Sequence, residues 1–260
     1  MKSHCIAFSK SLSALALAVC SMMAGSQTAQ AAGTSAVPVS FPVNLDAGHL
    51  RAGQSIEVRT LQSVILPDGA KLAKGTRIEG HVVAAEGFVF DATPYAEQKG
   101  SQLSLSFDAI EENGKRVPIH SSLRAMAAAP DVRKATTVDY ANEMDTVGTL
   151  QLIGGTSFTP ADKRIASPDG DTLAYQRNDG IFARLSENAQ TAHGVTVHCA
   201  ANATEQAVGF FSGDACGLYG FEATYLSENG AGSAAITLRS KRENVRIYRG
   251  SAALLELSLQ

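Results

Sequence analysis

The sequence predicts an all-β protein, a closed or partly open β-barrel with an inserted loop or helix and an extra β region. Apolar and polar residues alternate with a period of two in several short segments, which is typical of strands with one solvated face. Turn sequences such as Asn113-Gly114 separate these segments. The chain ends on Leu255, Leu257 and Leu259 alternating with polar residues. A strand this apolar is expected to pair with strands on both sides, because an exposed apolar edge would aggregate.

Residues 1–31 have the order of a secretory signal peptide. Lys2 and Lys10 supply positive charge, residues 11–25 are uncharged and mostly apolar, and an Ala-x-Ala cleavage site ends at Ala31. A helix needs about 20 apolar residues to span a bilayer, and this run is shorter. We therefore expect cleavage after Ala31, a periplasmic or secreted location, and no stable membrane span in the mature chain.

Two alternatives to simple cleavage stay open at this leader. Cys20 follows Leu17-Ala18-Val19, an arrangement that would suit a lipoprotein, although Val19 is large for the residue before a lipidated cysteine. An uncleaved membrane anchor is the second alternative.

After the leader, the sequence predicts a short flexible segment followed by one folded domain. Residues 32–44 are small, polar and proline-containing, which predicts a flexible lead-in. Residues 45–260 are expected to form a single β-barrel domain with an insertion at about residues 127–200. The formal net charge is −3 without a basic block, which argues against nucleic acid as a partner.

Strand patterns follow one another through the first half of that domain. Apolar residues alternate with polar ones in residues 56–60, 78–84 and 103–109. Asn113-Gly114 then provides the turn for a strand returning over residues 117–123, because both residues tolerate the positive φ of tight hairpins. Residues 103–123 are thus predicted to be a hairpin.

The second half begins with a segment that lacks the strand pattern, and further strands follow it. Residues 127–149 lose the strand alternation and show apolar residues every third position, which fits a short surface helix or an ordered loop outside the barrel. A turn-rich second β region begins at Leu150. Residues 45–125 and 245–260 are expected to share one sheet system, with the last strand closing the barrel.

Cys199 and Cys216 are the two cysteines that remain after cleavage. An even pair in an oxidising compartment predicts a disulfide. Zinc is the alternative, because His193 and His198 lie near Cys199 in sequence. The alternation around Cys199 puts His198 on the opposite face of a strand, however, and a second ligand pair is missing. The sequence therefore predicts no metal and no cofactor.

The sequence offers no catalytic set, so we expect a protein that is not an enzyme. The carboxylates Asp108, Glu111 and Glu112 fall on the hairpin tip or its solvated face, where solvation explains them. A disulfide-bonded Cys216 cannot act as a nucleophile. A ligand-binding surface would use the glycine- and aromatic-rich stretch 210–225. Its members Tyr219, Phe221 and Tyr225 would be exposed if they face a ligand and buried if they belong to the core.

Several of these segments resemble the β-barrel domain of the TrbI-like family, the channel proteins of conjugation and type IV secretion systems. The matching features are Asp68-Gly69, the step Lys74-Gly75-Thr76 with its strand, the hairpin over 103–119 and the late strand over 245–257. The pattern is more similar still to small secreted proteins of unknown role with the same core. The resemblance implies the barrel fold and an envelope setting without the channel.

Together these observations predict a non-enzymatic periplasmic or secreted envelope protein that acts as a structural or interaction module. Its expected partners are other envelope proteins or a second copy of itself. A glycan or small-ligand binding module is the first alternative. A periplasmic hydrolase is the second, and it would need a pocket with converging carboxylates or histidines.

Overall fold

A computed structural model describes residues 33–90, 98–112, 114–227 and 235–259. The predicted signal peptide, including Cys20, lies outside these described residues. The chain from Ala32 onward forms one compact unit. Strands make up 54% of the described residues and helix 4%, which confirms the predicted all-β class. Among the described residues no helix is long and apolar enough to cross a bilayer.

The secondary structure consists of short strands and one helix, α1 (Ala129–Thr136). In chain order the strands are β1 (Ser35–Ser40), β2 (Leu45–Asp46), β3 (Ser55–Thr60), β4 (Val64–Ile65), β5 (Lys71–Leu72), β6 (Arg77–Glu86), β7 (Ser101–Glu112), β8 (Lys115–Ala127), β9 (Leu150–Gln151), β10 (Ser157–Phe158), β11 (Arg164–Ala166), β12 (Thr172–Arg177), β13 (Gly180–Leu185), β14 (Asn188–Ala192), β15 (Val195–Cys199), β16 (Asn202–Ala207), β17 (Gly217–Tyr219), β18 (Thr224–Leu226), β19 (Ile236–Ser240), β20 (Arg246–Ile247) and β21 (Ala252–Leu259).

Six antiparallel strands close a barrel in the order β1, β3, β6, β7, β8 and β21, and β21 pairs back with β1. The predicted hairpin is confirmed as β7 and β8, joined at the pair Glu112↔Lys115, and Gly114 has the positive φ of 72° that the turn requires. The expected closure by the last strand is also confirmed, because β21 lies between β1 and β8.

The inner faces of all six strands supply one hydrophobic core, here called the first core. Members from successive strands include Val39, Val58, Ile78, Leu105 and Leu255, all fully buried or nearly so. The period-two alternation of the sequence therefore marks the barrel interior.

The predicted flexible lead-in over residues 32–44 is wrong for six of its thirteen residues, because Ser35–Ser40 is the barrel strand β1. Val37 and Val39 face the first core and Ala36 faces outward, yet all three are buried. β1 pairs with β21 over six residues. Small residues and Pro38 hid the strand pattern, although the structure needs β1 to close the barrel.

A second core covers the outside of the barrel over only three strands, β1, β8 and β21. The barrel residues that face it are mostly small, which lets other elements approach closely. They are Ala36, Ala125, Ala127, Ala252 and Leu254. The predicted second β region supplies the other side. It includes a four-stranded sheet in the order β11, β12, β13 and β16.

The segment 127–149 contains α1, which begins with Pro130 in its first turn and buries Ala135 against the second core. Residues 138–149, here called the 138–149 loop, follow it and lead into β9. Ala127 is the last residue of β8, and residues 128–149 belong to no barrel strand, as the sequence predicts for this segment.

Candidate functional site

The predicted disulfide is present, with the Cα atoms of Cys199 and Cys216 5.9 Å apart. It joins the end of β15 to the residue before β17. His198 is exposed on the opposite face of β15 from Cys199, in agreement with the alternation. Within the described ranges, no group of three or more His, Cys, Asp or Glu residues is arranged to hold a metal ion.

Arg124 lies beside the disulfide and connects the barrel to the second β region. The pairing of β8 with β21 shifts register there, because Leu254 pairs with Ala125 and Leu255 with Leu123. Such a bulge re-aims the side chain of the extra residue. The guanidinium of Arg124 is fully buried and donates to the carbonyls of Ala200, Ser186 and Gly213.

The 138–149 loop is ordered by one carboxylate. Asp145 accepts hydrogen bonds from the backbone N–H groups of Ala141, Val147 and Gly148, and these bonds lower its pKa, with Gly148 the largest cause. Asp139 and Thr149 close the base of the loop with two backbone hydrogen bonds of 2.7 Å. The loop therefore has a defined shape although it lies on the surface.

Gly148 fixes how the loop packs on itself. It has a φ of 60°, and a Cβ there would come 2.3 Å from Cγ1 of Val138. Only glycine fits this left-handed and crowded position.

Three large apolar side chains of this loop face solvent. Tyr140 is 55%, Met144 89% and Val147 55% exposed. The charged residues within the loop, Asp139, Glu143 and Asp145, are all acidic. The loop thus combines three exposed apolar side chains with three acidic residues within twelve positions.

A second surface feature is a cavity of about 370 Å³, here called the α1 cleft, where α1, β9, the β12–β13 hairpin and the end of β3 meet. Its large apolar wall residues come from segments that are far apart in sequence, and they adjoin the second core. They are Leu61, Leu150, Leu152, Phe158, Ile181 and Phe210.

Polar side chains at this cleft differ in how well they are paired. Gln62 is buried and satisfied, since its Nε2 donates to the carbonyl of Ile181 and its Oε1 accepts from the N–H of Gly209. Gln176 donates through Nε2 to the carbonyl of Pro160, while its Oε1 is buried without a hydrogen-bond donor among the described residues. Lys74 stands at the rim.

The three aromatic residues singled out from the sequence are each half-buried and do not line one common cavity. Tyr219 packs against the second core, accepts a hydrogen bond from the N–H of Cys216, and has its pKa raised by burial. Phe221 packs against the first core. Tyr225 contacts the ring of His193 and lines a separate cavity beside Arg239.

Two of the three predicted surface carboxylates, Asp108 and Glu111, contact basic side chains on the outer face of the barrel. Asp108 lies 2.6 Å from Nδ1 of His81 and accepts the hydroxyl proton of Ser106 at 2.6 Å. A serine nucleophile would need to hydrogen-bond the imidazole rather than the carboxylate. The trio is therefore a polar surface network without a paired nucleophile and base. Glu111 forms an ion pair with Arg77.

Sequence reasoning missed both the α1 cleft and the role of Arg124. The cleft is built from elements that are far apart in sequence, so no local motif marks it. Arg124 falls on the polar phase of the β8 alternation, together with His120 and Ser122, so its burial could not be predicted from the pattern.

No family model matches the chain, and no curated protein and no solved structure matches it either. The resemblance to the TrbI-like family stays a prediction.

Proposed function

We propose that this protein is an exported, non-catalytic interaction module of the cell envelope, built on a TrbI-like barrel, and that the 138–149 loop is its contact element. The observation that carries the proposal is an ordered loop of twelve residues in which Tyr140, Met144 and Val147 are each more than half exposed. Isolated apolar residues are common on protein surfaces, but clustered ones favour an interaction site.

The order of the loop supports this role. A loop held by hydrogen bonds to Asp145 loses little further conformational entropy when it binds. The chemistry of the partner follows from the loop's composition. Its acidic residues favour an envelope protein that offers an apolar pocket bordered by lysine or arginine.

The expected compartment rests on two further features. The leader has the composition of a secretory signal peptide, and a disulfide joins Cys199 to Cys216. Disulfides persist in oxidising compartments and are rare in the cytosol. Both features support a periplasmic or secreted location.

Site-specific photo-crosslinking in living cells tests the proposal. A photoreactive amino acid at position 144 should give a discrete adduct with one envelope protein, and the same amino acid in place of exposed Val43 should not. Replacing Tyr140 and Val147 by serine should abolish the adduct formed from position 144. An adduct pattern that is identical at positions 43 and 144 would refute the loop as the contact element.

A further inference from the structure

A second cavity lies over one end of the large sheet, away from the 138–149 loop. Strands β6, β7, β19 and β18 each contribute residues to its wall, and we call it the β18 cavity. Its volume of about 430 Å³ falls within the range of about 300–1,000 Å³ that is typical of ligand pockets. Its use as a binding site does not depend on the proposed function.

The strand register places side chains of the cavity wall in one row. The row crosses four strands, each member paired with the next, in the order Glu86, Gln102, Arg239 and Tyr225. Their chain neighbours Leu103 and Leu238 face the first core. Because side chains alternate between the two faces of a strand, the row points away from that core. The row spans three strand spacings, about 14 Å, which suits an elongated ligand.

Tyr225 provides an aromatic platform at one end of the row. Its ring is half-buried and contacts the ring of His193, with the ring centroids 5.1 Å apart. This contact restricts the tyrosine side chain, so a ligand that packs on it costs little further conformational entropy. The face of an aromatic ring carries negative charge density. The C–H groups of a sugar ring are polarised by the neighbouring oxygen atoms, so a sugar ring suits this platform.

The other end of the row offers partners for hydroxyl groups. The amide of Gln102 can both donate and accept a hydrogen bond, and the carboxylate of Glu86 accepts. Glu86 is exposed and Gln102 is half-buried, so a ligand in the cavity can reach both. A hydroxyl group is itself a donor and an acceptor, and it therefore matches either side chain.

Two cations accompany the aromatic platform. Arg239 is the direct cross-strand neighbour of Tyr225, and Lys241 follows it two residues later. Both cations line the cavity, are exposed and form no ion pair within the described residues. Glu86 lies two strand spacings from Arg239, about 10 Å, and this exceeds the Debye length of about 8 Å at physiological ionic strength. The platform end of the cavity therefore favours an anionic group.

We propose that the β18 cavity binds an acidic glycan. One sugar ring packs on Tyr225, and its carboxylate is bound by Arg239 and Lys241. Hydroxyl groups of the next sugar bind Gln102 and Glu86. The planar guanidinium of Arg239 can bind a carboxylate through two parallel N–H groups, whereas an uncharged glycan leaves both cations without a partner.

Two probes with the same sugar rings test the ligand class. Trigalacturonic acid carries a carboxylate on each ring, and its methyl ester is the uncharged counterpart. Isothermal titration calorimetry of the disulfide-bonded protein should show saturable binding of the acid at one site and at least about fourfold weaker binding of the ester. Absence of saturable binding by the acid, or equal affinity for the acid and its ester, would overturn the proposal.

Charge variants test the carboxylate contact. Arg239→Gln and Lys241→Gln should each weaken binding of the acid about two- to fivefold and leave binding of the ester unchanged, because each removes one exposed charge pair. Arg242→Gln is the matched control, since Arg242 is exposed, follows Lys241 directly and does not line the cavity. An equal loss in the control would mean that the acid responds only to the general surface charge, and the assigned contact would fail.

Platform variants test the location. Tyr225→Leu should weaken binding of both probes about two- to tenfold, because leucine retains bulk but lacks the ring face. Tyr175→Leu is the control, since Tyr175 is 36% exposed on β12 and does not line the cavity. Undiminished binding by a folded Tyr225→Leu protein would place the glycan elsewhere and overturn the site. If that variant does not fold, Arg239→Gln and Lys241→Gln decide against Arg242→Gln.

Discussion

At the scale of single residues, Arg124 holds the second β region against the barrel. Its guanidinium is fully buried and satisfies three backbone carbonyls contributed by loops near residues 186, 200 and 213. Glu256 lies 3.4 Å away and is the one carboxylate paired with it in the described residues. A single side chain thus supplies the donors for three backbone carbonyls of the second β region.

We expect Arg124→Met to lower the free energy of unfolding by about 3–5 kcal/mol, since breaking a buried charge pair leaves buried polar groups without partners. The measurement is denaturant unfolding of the oxidised protein. Arg116→Met is the control, because Arg116 is exposed and its ion pair with Glu79 should contribute at most about 1 kcal/mol. Similar losses in the two variants would contradict this role of Arg124.

The role of a residue was predictable where its type alone determines its partner, and unpredictable where its partners lie far away in sequence. Cys199 and Cys216 could be paired from the sequence because they are the two cysteines that follow the predicted leader. The partners of Arg124 are backbone carbonyls, which carry no residue signature. The half-buried state of Tyr219 and Tyr225 likewise depends on strands that lie far from them in sequence.

At the scale of elements, one ionised carboxylate accepts three of the hydrogen bonds that hold the 138–149 loop. The backbone hydrogen bonds of Gly148, Ala141 and Val147 lower the pKa of Asp145 from its usual 3.8. A lowered pKa in the folded loop means that its stabilisation is complete above pH 3.8 and is lost as the pH falls through the lower, folded value.

We therefore expect the amide protection factors of Val147 and Gly148 to fall as the pH is lowered below 3.8, while those of the β7–β8 hairpin do not. Hydrogen exchange measured at several pH values checks this outcome. Asp145→Ala should show the same loss of protection already at neutral pH. Protection that is independent of pH in the loop would mean that other contacts hold it.

Limited proteolysis gives a second expectation for the same element. The first cleavage should fall within residues 138–149, because this loop projects exposed side chains and contributes few residues to either core. The hairpin over 103–123 should stay intact until global unfolding. Mass spectrometry of early fragments identifies the site, and an early cut within the hairpin would contradict the expectation.

Elements were predictable where one face of the strand is polar in sequence. β7 shows a clear alternation, and its turn to β8 contains the Asn-Gly signal, so the hairpin could be placed closely. β1 is buried on both faces, which removes the alternation, and it contains Pro38. The proline is tolerated because β1 pairs with β3 only at Val39 and Ser40.

At the scale of the whole molecule, the two cores share the strands β1, β8 and β21. Along β21, Leu254 faces the second core while Leu255 and Leu257 face the first. The sequence predicted that this strand closes the barrel. It did not reveal the second core, because that core joins residues from five distant parts of the chain: 36, 125 to 135, 152 to 185, 208 to 215, and 252 with 254. Sharing of strands predicts that neither core is stable without the other.

Leu254→Ala and Leu255→Ala should each lower the free energy of unfolding by about 2–5 kcal/mol, because each deletes a buried side chain and leaves a cavity. Although they act on different cores, both variants should still unfold in one cooperative transition. The control is Leu173→Ala, which should cost far less stability because Leu173 is 40% exposed.

Hydrogen exchange should report the same opening free energy for β7–β8 and for β12–β13 in every variant. Deletion of residues 245–260 should unfold the entire chain. If Leu254→Ala loosened β12–β13 while β7–β8 kept the protection of the unaltered protein, the second β region would be an independent unit that only rests on the barrel.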